Sequence, residues 1–219
     1  MERKIFFGIL AITLLALAAA ILLPGGRTID EHPKLPWNLQ VNDEGTLTVF
    51  GIELGKSDLN QARNQFQDQG KANLFLTPDN RYMVEAYFQR IYLSGLKADL
   101  VLTLDLPETR AAQMFERGER ISNMGSGTKK IELSSRDMEA LAREKIKVVT
   151  YIPAADLDET LIVGRFGEPE KKLADSDSAI VHWLYPSKGL DIAVNSKGKE
   201  VLQYVNPADF GRVMTPLQH

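Results

Sequence analysis

The chain predicts an α+β fold: an N-terminal transmembrane helix, then a tandem repeat of helices packed on antiparallel β meanders. Three observations carry this reading. Ile5 to Leu23 is an apolar run without a charge. Asp99–Leu106 alternates, with Leu100, Leu102, Leu104 and Leu106 on one side and Asp99, Val101, Thr103 and Asp105 on the other. That is the period of a sheet with one buried face. Asp58-Leu59-Asn60 and Asp156-Leu157-Asp158 open two similar stretches, each a helix followed by strands, as in an internal duplication.

The bulk composition belongs to a folded protein: 219 residues, 44% hydrophobic and 25% charged. A net charge of −3 argues against nucleic-acid binding, which needs a basic surface to displace counterions. The absence of cysteine excludes disulfides, thiolate metal sites and a cysteine nucleophile.

Taken in order, the apolar run has a helical length of roughly 28 Å, near the thickness of a bilayer core. Arg3 and Lys4 precede it and Pro24-Gly25-Gly26 ends it. Ala18-Ala19-Ala20 offers a signal-peptide cleavage site, but Ile21-Leu22-Leu23 continues the run past it. An uncleaved anchor is the favoured reading over a cleaved leader. The basic residues before the run favour a cytoplasmic N-terminus and a periplasmic body. Residues 24–46 lack periodicity and read as a tether, in which Pro33-Lys34-Leu35-Pro36-Trp37 is a stiff spacer or a docking motif.

The body begins near Leu47. Thr46–Ile52 reads as a short strand. Ser57 is placed to cap a helix whose buried stripe is Leu59, Ala62 and Phe66, with Gly70 as its stop. Strands are expected at Leu74–Thr77, Arg81–Leu93 and Asp99–Leu106. Pro107 opens a second helix with Ala111, Met114 and Phe115 inward. Ser122–Lys130 reads as a loop, and Ser134 with Asp137 as the capped start of a short helix. Ile146, Val148, Thr150 and Ile152 alternate as a strand. Asp156 and Glu159 start a further helix with Leu157, Leu161 and Phe166 inward, and Gly167-Glu168-Pro169 stops it. Ala179–Tyr185, Leu190–Asn195 and Glu200–Val205 then form a meander with turns at Pro186–Gly189 and Ser196–Gly198. The resulting division is a stub at 1–4, an anchor at 5–23, a tether at 24–46, and α+β units at 47–142 and 143–219.

The second unit, DLDETLIVGRFGEP followed by HWLYPSKGLDIAVNSKGKEVLQYV, resembles the SmpA/OmlA (BamE) family of small envelope proteins over residues 156–205. It is also similar to the wider class of folds like the β-lactamase-inhibitor protein. The resemblance implies a non-enzymatic, protein-binding module of the bacterial envelope. That family carries a lipid on a cysteine, which this chain lacks.

Chemistry is sparse. His32, His182 and His219 have no metal-ligand spacing, and no cofactor motif is present. His182, between Ile180 and Leu184 at period 2, reads as a hydrogen-bonded sheet histidine. There is no G-x-S-x-G elbow. Met124 to Lys130 does not complete a phosphate loop, and a Ser126–Lys129 dyad would sit on a Gly-rich loop. Asp156, Asp158 and Glu159 suit helix capping, and Asp175 and Asp177 a solvated loop. Trp183, Tyr185 and Tyr204 are the candidate partner-binding residues, their alternative being core packing. Tyr82 and Tyr87 add further amphipathic rings.

The expectation is therefore a single-pass inner-membrane protein whose body binds an unidentified envelope protein, without catalysis, metal or cofactor. Two alternatives stay open: an enzyme using a carboxylate pair on envelope material, and a small-ligand sensor with a pocket between the repeats.

Overall fold

The computed structural model describes residues 2–22, 33–175 and 179–214. The first of its two compact units contains the helix α1 (Glu2–Leu22). Among the described residues, no helix is long and apolar enough to cross a membrane. This corrects the expected transmembrane helix. Leu23 and residues 24–32 lie outside the described residues.

The second unit starts at Pro33. A small antiparallel sheet comprises β1 (Gln40–Val41), β2 (Leu47–Val49) and β3 (Ile52–Glu53). Within residues 33–46, expected as a tether, Pro36 is buried and Trp37 and Leu39 pack on the core, while β1 stays exposed. Tyr204 Oη donates to the Pro36 carbonyl at 2.8 Å, and Trp37 meets Phe166 edge-on at 6.5 Å under the Arg165 guanidinium. The β2–β3 turn holds Phe50 at φ 54° and Gly51 at φ 77°. It drives the Phe50 ring between Tyr151, at 5.1 Å, and Tyr204, at 5.6 Å.

The elements that follow are α2 (Leu59–Phe66), β4 (Lys71–Leu76), β5 (Tyr82–Leu93), β6 (Leu96–Asp105) and α3 (Glu108–Glu116). Next come β7 (Arg120–Asn123), β8 (Lys129–Glu132), α4 (Ser135–Ala140) and β9 (Lys145–Pro153). The chain continues through α5 (Glu159–Phe166), β10 (Lys171–Ala174), β11 (Ile180–Tyr185), β12 (Leu190–Asn195), β13 (Val201–Val205) and α6 (Phe210–Met214).

Ten strands form one antiparallel sheet in the order β10-β11-β12-β13-β9-β6-β5-β4-β8-β7. Its centre reads the same from either side: β4-β5-β6-β9 faces β13-β12-β11-β10 across the β9–β13 pair. In this arrangement β9 closes the first half, whereas a boundary at 142/143 places it in the second. Both halves open on a helix of 8 residues, α2 and α5, ending in Phe66 and Phe166. Asp58 and Asp158 cap these helices, accepting from the backbone N–H of Gln61 and Leu161. The cap of α2 is thus Asp58 rather than Ser57, whose hydroxyl accepts from Glu53 N–H. The cap of α5 is Asp158 rather than Asp156.

The ends of one segment expected as a loop are strand, and a further strand lies where none was expected. Ser122–Lys130 contributes to the β7–β8 hairpin, and Lys171–Ala174 is an edge strand. The alternation expected for 146–152 is interrupted. A bulge opposite Thr103 and Leu104 moves the inward positions of β9 from Ile146 to Val149 and Tyr151.

One sheet face is covered by α2, α3 and α5, with Leu59, Ala62, Ala111, Met114, Ile162 and Phe166 in the core. The other face carries a small satellite core, where Leu184, Val205 and Phe210 pack with Val148, Leu173 and Val213. This placement of α6 leaves part of that face uncovered.

Candidate functional site

The three aromatic residues expected to bind a partner are core residues. Trp183 is 2% exposed, Tyr185 1% and Tyr204 0%. Period 2 sets them on one face of their strands, and that face is the helix-covered one. Burial raises the Tyr204 phenol well above its usual range and the Tyr185 phenol to about 12. Lys172 sits 3.5 Å from the Trp183 ring centroid, so the indole already has a cation. The correction follows from area: burying rings of this size contributes far more than leaving them wet.

The opposite face holds the more functional arrangement. His182 of β11 is paired with Ala193 of β12, and Asp191 lies two residues along that strand on the same face. The His182 Nδ1 to Asp191 Oδ2 distance is 2.8 Å, and the side chains are 14% and 5% exposed. The hydrogen bond to Asp191, aided by the charges of Asp191 and Asp175, raises the imidazole pKa above 6.5 against the opposing effect of burial. With Nδ1 engaged, Nε2 is the ring nitrogen left to exchange a proton. Asp191 Oδ1 is buried and has no hydrogen-bond partner. A buried carboxylate oxygen without a donor costs free energy and calls for an explanation.

That pair lines a cleft of about 650 Å³ between the sheet and α6. The size suits a small ligand. Gln203 of β13, Val148 of β9 and Asp105 at the end of β6 extend the floor across the junction of the halves. Lys147 is 3.7 Å from Asp105, and Arg212 is 3.6 Å from Asp209. These cleft charges cancel in pairs. Val148, Val205 and Val213 supply apolar wall.

The remaining candidates are structural or lie elsewhere. Ser126 Oγ bonds Thr128 Oγ1 at 3.0 Å in the tip of the β7–β8 hairpin, and no helix follows to cradle a phosphate. Tyr82 packs edge-on to Phe115 at 5.8 Å, and Tyr87 Oη donates to Asp99 at 2.6 Å. Among the described residues, no group of three or more His, Cys, Asp or Glu is placed to hold a metal. His32, Asp177 and His219 lie outside the described residues.

The sequence singled out His182 but not Asp191. Their nine-residue separation has no motif; the β11–β12 register alone joins them.

Fold and site together define an α+β domain with a cleft lined by charged residues on the partly covered face of an antiparallel sheet. No family model matches the chain, and neither the curated proteins nor the solved structures include a significant match.

Proposed function

We propose that the domain is a non-catalytic binding module whose cleft takes a small polar ligand. One observation carries this: a buried carboxylate, Asp191, lines an open cleft with one oxygen on His182 and the other without a donor. A ligand that brings a donor satisfies the orphaned oxygen once it displaces the atoms that screen it, while the valines accept its apolar part. The described lining contains no serine, threonine, cysteine or tyrosine, so His182 has no side-chain hydroxyl or thiol to activate there. This favours binding over acyl transfer. The resemblance of residues 156–205 to SmpA/OmlA proteins points the same way. Trp183, Tyr185 and Tyr204 are buried, so the reading rests on the cleft rather than on an aromatic docking face.

The test is a ligand-observed NMR screen of small polar metabolites against the full chain and a His182→Leu/Asp191→Leu double variant. That variant swaps the buried pair for apolar side chains, a change that folded proteins commonly tolerate. Binders specific to the wild type are expected. A screen without binders, or with binders that the double variant retains, overturns the reading.

A further inference from the structure

Resting on the cleft reading above, we infer that the preferred ligand carries a compact ammonium group, which donates to Asp191 Oδ1 and competes with the proton on His182. The inference follows from the charges. Asp105 is balanced by Lys147 and Asp209 by Arg212. With His182 neutral, the remaining charge among the described lining residues is that of Asp191, which has a buried oxygen lacking a donor. With His182 protonated, the pair is neutral and the need for a cation is relieved.

The groups acting on the imidazole are Asp191 from β12 and Asp175, just beyond β10. Leu173 of β10 and Ala193 of β12 flank His182 in the sheet and bring no charge. The satellite-core residues Leu184 and Val205 are apolar as well. Among the described residues, a cation on Asp191 therefore meets one proton-dependent repulsion, from the imidazolium. Shape selects among cations. Asp191 Oδ1 is screened from solvent, so a donor reaches it only where the cleft side chains part, and a compact ammonium needs a smaller opening than the broad plane of a guanidinium. Ligand and proton then exclude each other, and by linkage each weakens the other's binding.

The experiment titrates the isotopically labelled full chain with ethanolamine, acetate and inorganic phosphate between about pH 5.5 and about pH 8, a range spanning imidazole titration. Backbone amides of β11–β13 and the His182 ring nitrogens are read by NMR. The expected result is that ethanolamine shifts these signals, lowers the midpoint of His182 titration, and binds at least about threefold more tightly at the upper pH. Asp191→Asn is expected to lose ethanolamine binding while keeping a folded amide spectrum. His182→Gln is expected to keep binding and lose its pH dependence.

If acetate or phosphate binds instead, and more tightly at low pH, the ammonium inference falls and the cleft reading stands. If none of the three shifts the cleft but the metabolite screen yields a binder there, the inference again falls alone. If probes and screen are both negative, both fall.

Discussion

The two halves of the sheet place the same device on the same face and finish it differently. In the first half, Tyr87 is opposite Val101, and its hydroxyl reaches the diagonal Asp99 at 2.6 Å. In the second, His182 is opposite Ala193 and reaches the diagonal Asp191 at 2.8 Å. Each is a ring from the second meander strand bonded to a carboxylate two residues back on the third. The difference lies in the second oxygen. Between Phe88 and Ile91, β5 bulges, with Arg90 at φ 54°, and this aims the Arg90 N–H at Asp99 Oδ1, 2.7 Å away. The β11–β12 ladder runs unbroken from Ile180 to Tyr185. It has no spare N–H, so Asp191 Oδ1 is orphaned. A bulge turns one copy into a closed structural contact, and its absence leaves the other open to a ligand.

The largest contrast is expected at the turns. Gly95 and Gly189 both have positive φ, 88° and 63°. A Cβ at Gly95 meets nothing within 4 Å, whereas one at Gly189 lies 2.0 Å from the Val205 carbonyl oxygen. Gly95→Ala is expected to destabilise by about 1 kcal/mol from backbone strain alone. Gly189→Ala adds a backbone clash that must separate the β11–β12 turn from the end of β13, at about 3 kcal/mol or more. Urea denaturation of both variants decides it; equal losses contradict the tight closure of the second half.

The carboxylates come next, and here the order reverses. Asp99→Ala removes two satisfied hydrogen bonds from a partly exposed site and is expected to lose about 1 to 2 kcal/mol. Asp191→Asn keeps the bond to His182 and relieves a buried charge, so its stability is expected within about 0.5 kcal/mol of wild type near pH 8. Ligand sites commonly retain such unfavourable groups. A large loss on Asp191→Asn would mark the pair as a structural element rather than an open site.

The helix caps give a smaller and more even effect. Asp58 caps α2 in a reciprocal box, with Gln61 Oε1 accepting from the Asp58 N–H at 2.9 Å. Asp158 accepts from Leu161 N–H at 2.7 Å. Each aspartate-to-alanine change is expected to cost about 1 kcal/mol. The Asp58 variant is expected to lose slightly more, because it also gives up the ion pair with Lys145 at 3.8 Å. Thermal unfolding of the two variants measures the gap.

How much of this was legible depends on the range of the interaction. The Ser134 cap and the final meander follow from neighbours in sequence, whereas the caps of α2 and α5 lie one and two residues beyond the expected Ser57 and Asp156. The bulge in β9 escapes because an inserted residue flips the inward face without changing composition. Short edge strands such as Lys171–Ala174 have too few residues to show a period. For Trp183, Tyr185 and Tyr204, alternation separates two faces, but the packing of α2, α3 and α5 decides which is covered. The site is least legible of all. His182 and Asp191 meet through a cross-strand diagonal, a property of register that no spacing rule reports.

The smallest expected effect is a slope rather than a loss. The hydrogen bond to Asp191 raises the His182 pKa above its ordinary value, so protonated His182 favours the folded state. Its contribution is fully present below about pH 6.5, the unfolded value, and fades as pH rises through the higher folded value. The stability difference between wild type and His182→Gln is therefore expected to be largest near pH 6 and to shrink toward pH 8.5. Tyr87→Phe is the matched control. Its hydroxyl also bonds an aspartate, and the phenol pKa is raised from 10, so its difference from wild type stays flat over the same range. Paired urea titrations compare the two slopes. Parallel slopes, or one for His182 that grows with pH, would show that the imidazole and the phenol occupy equivalent closed contacts, and the distinction between the halves would be lost.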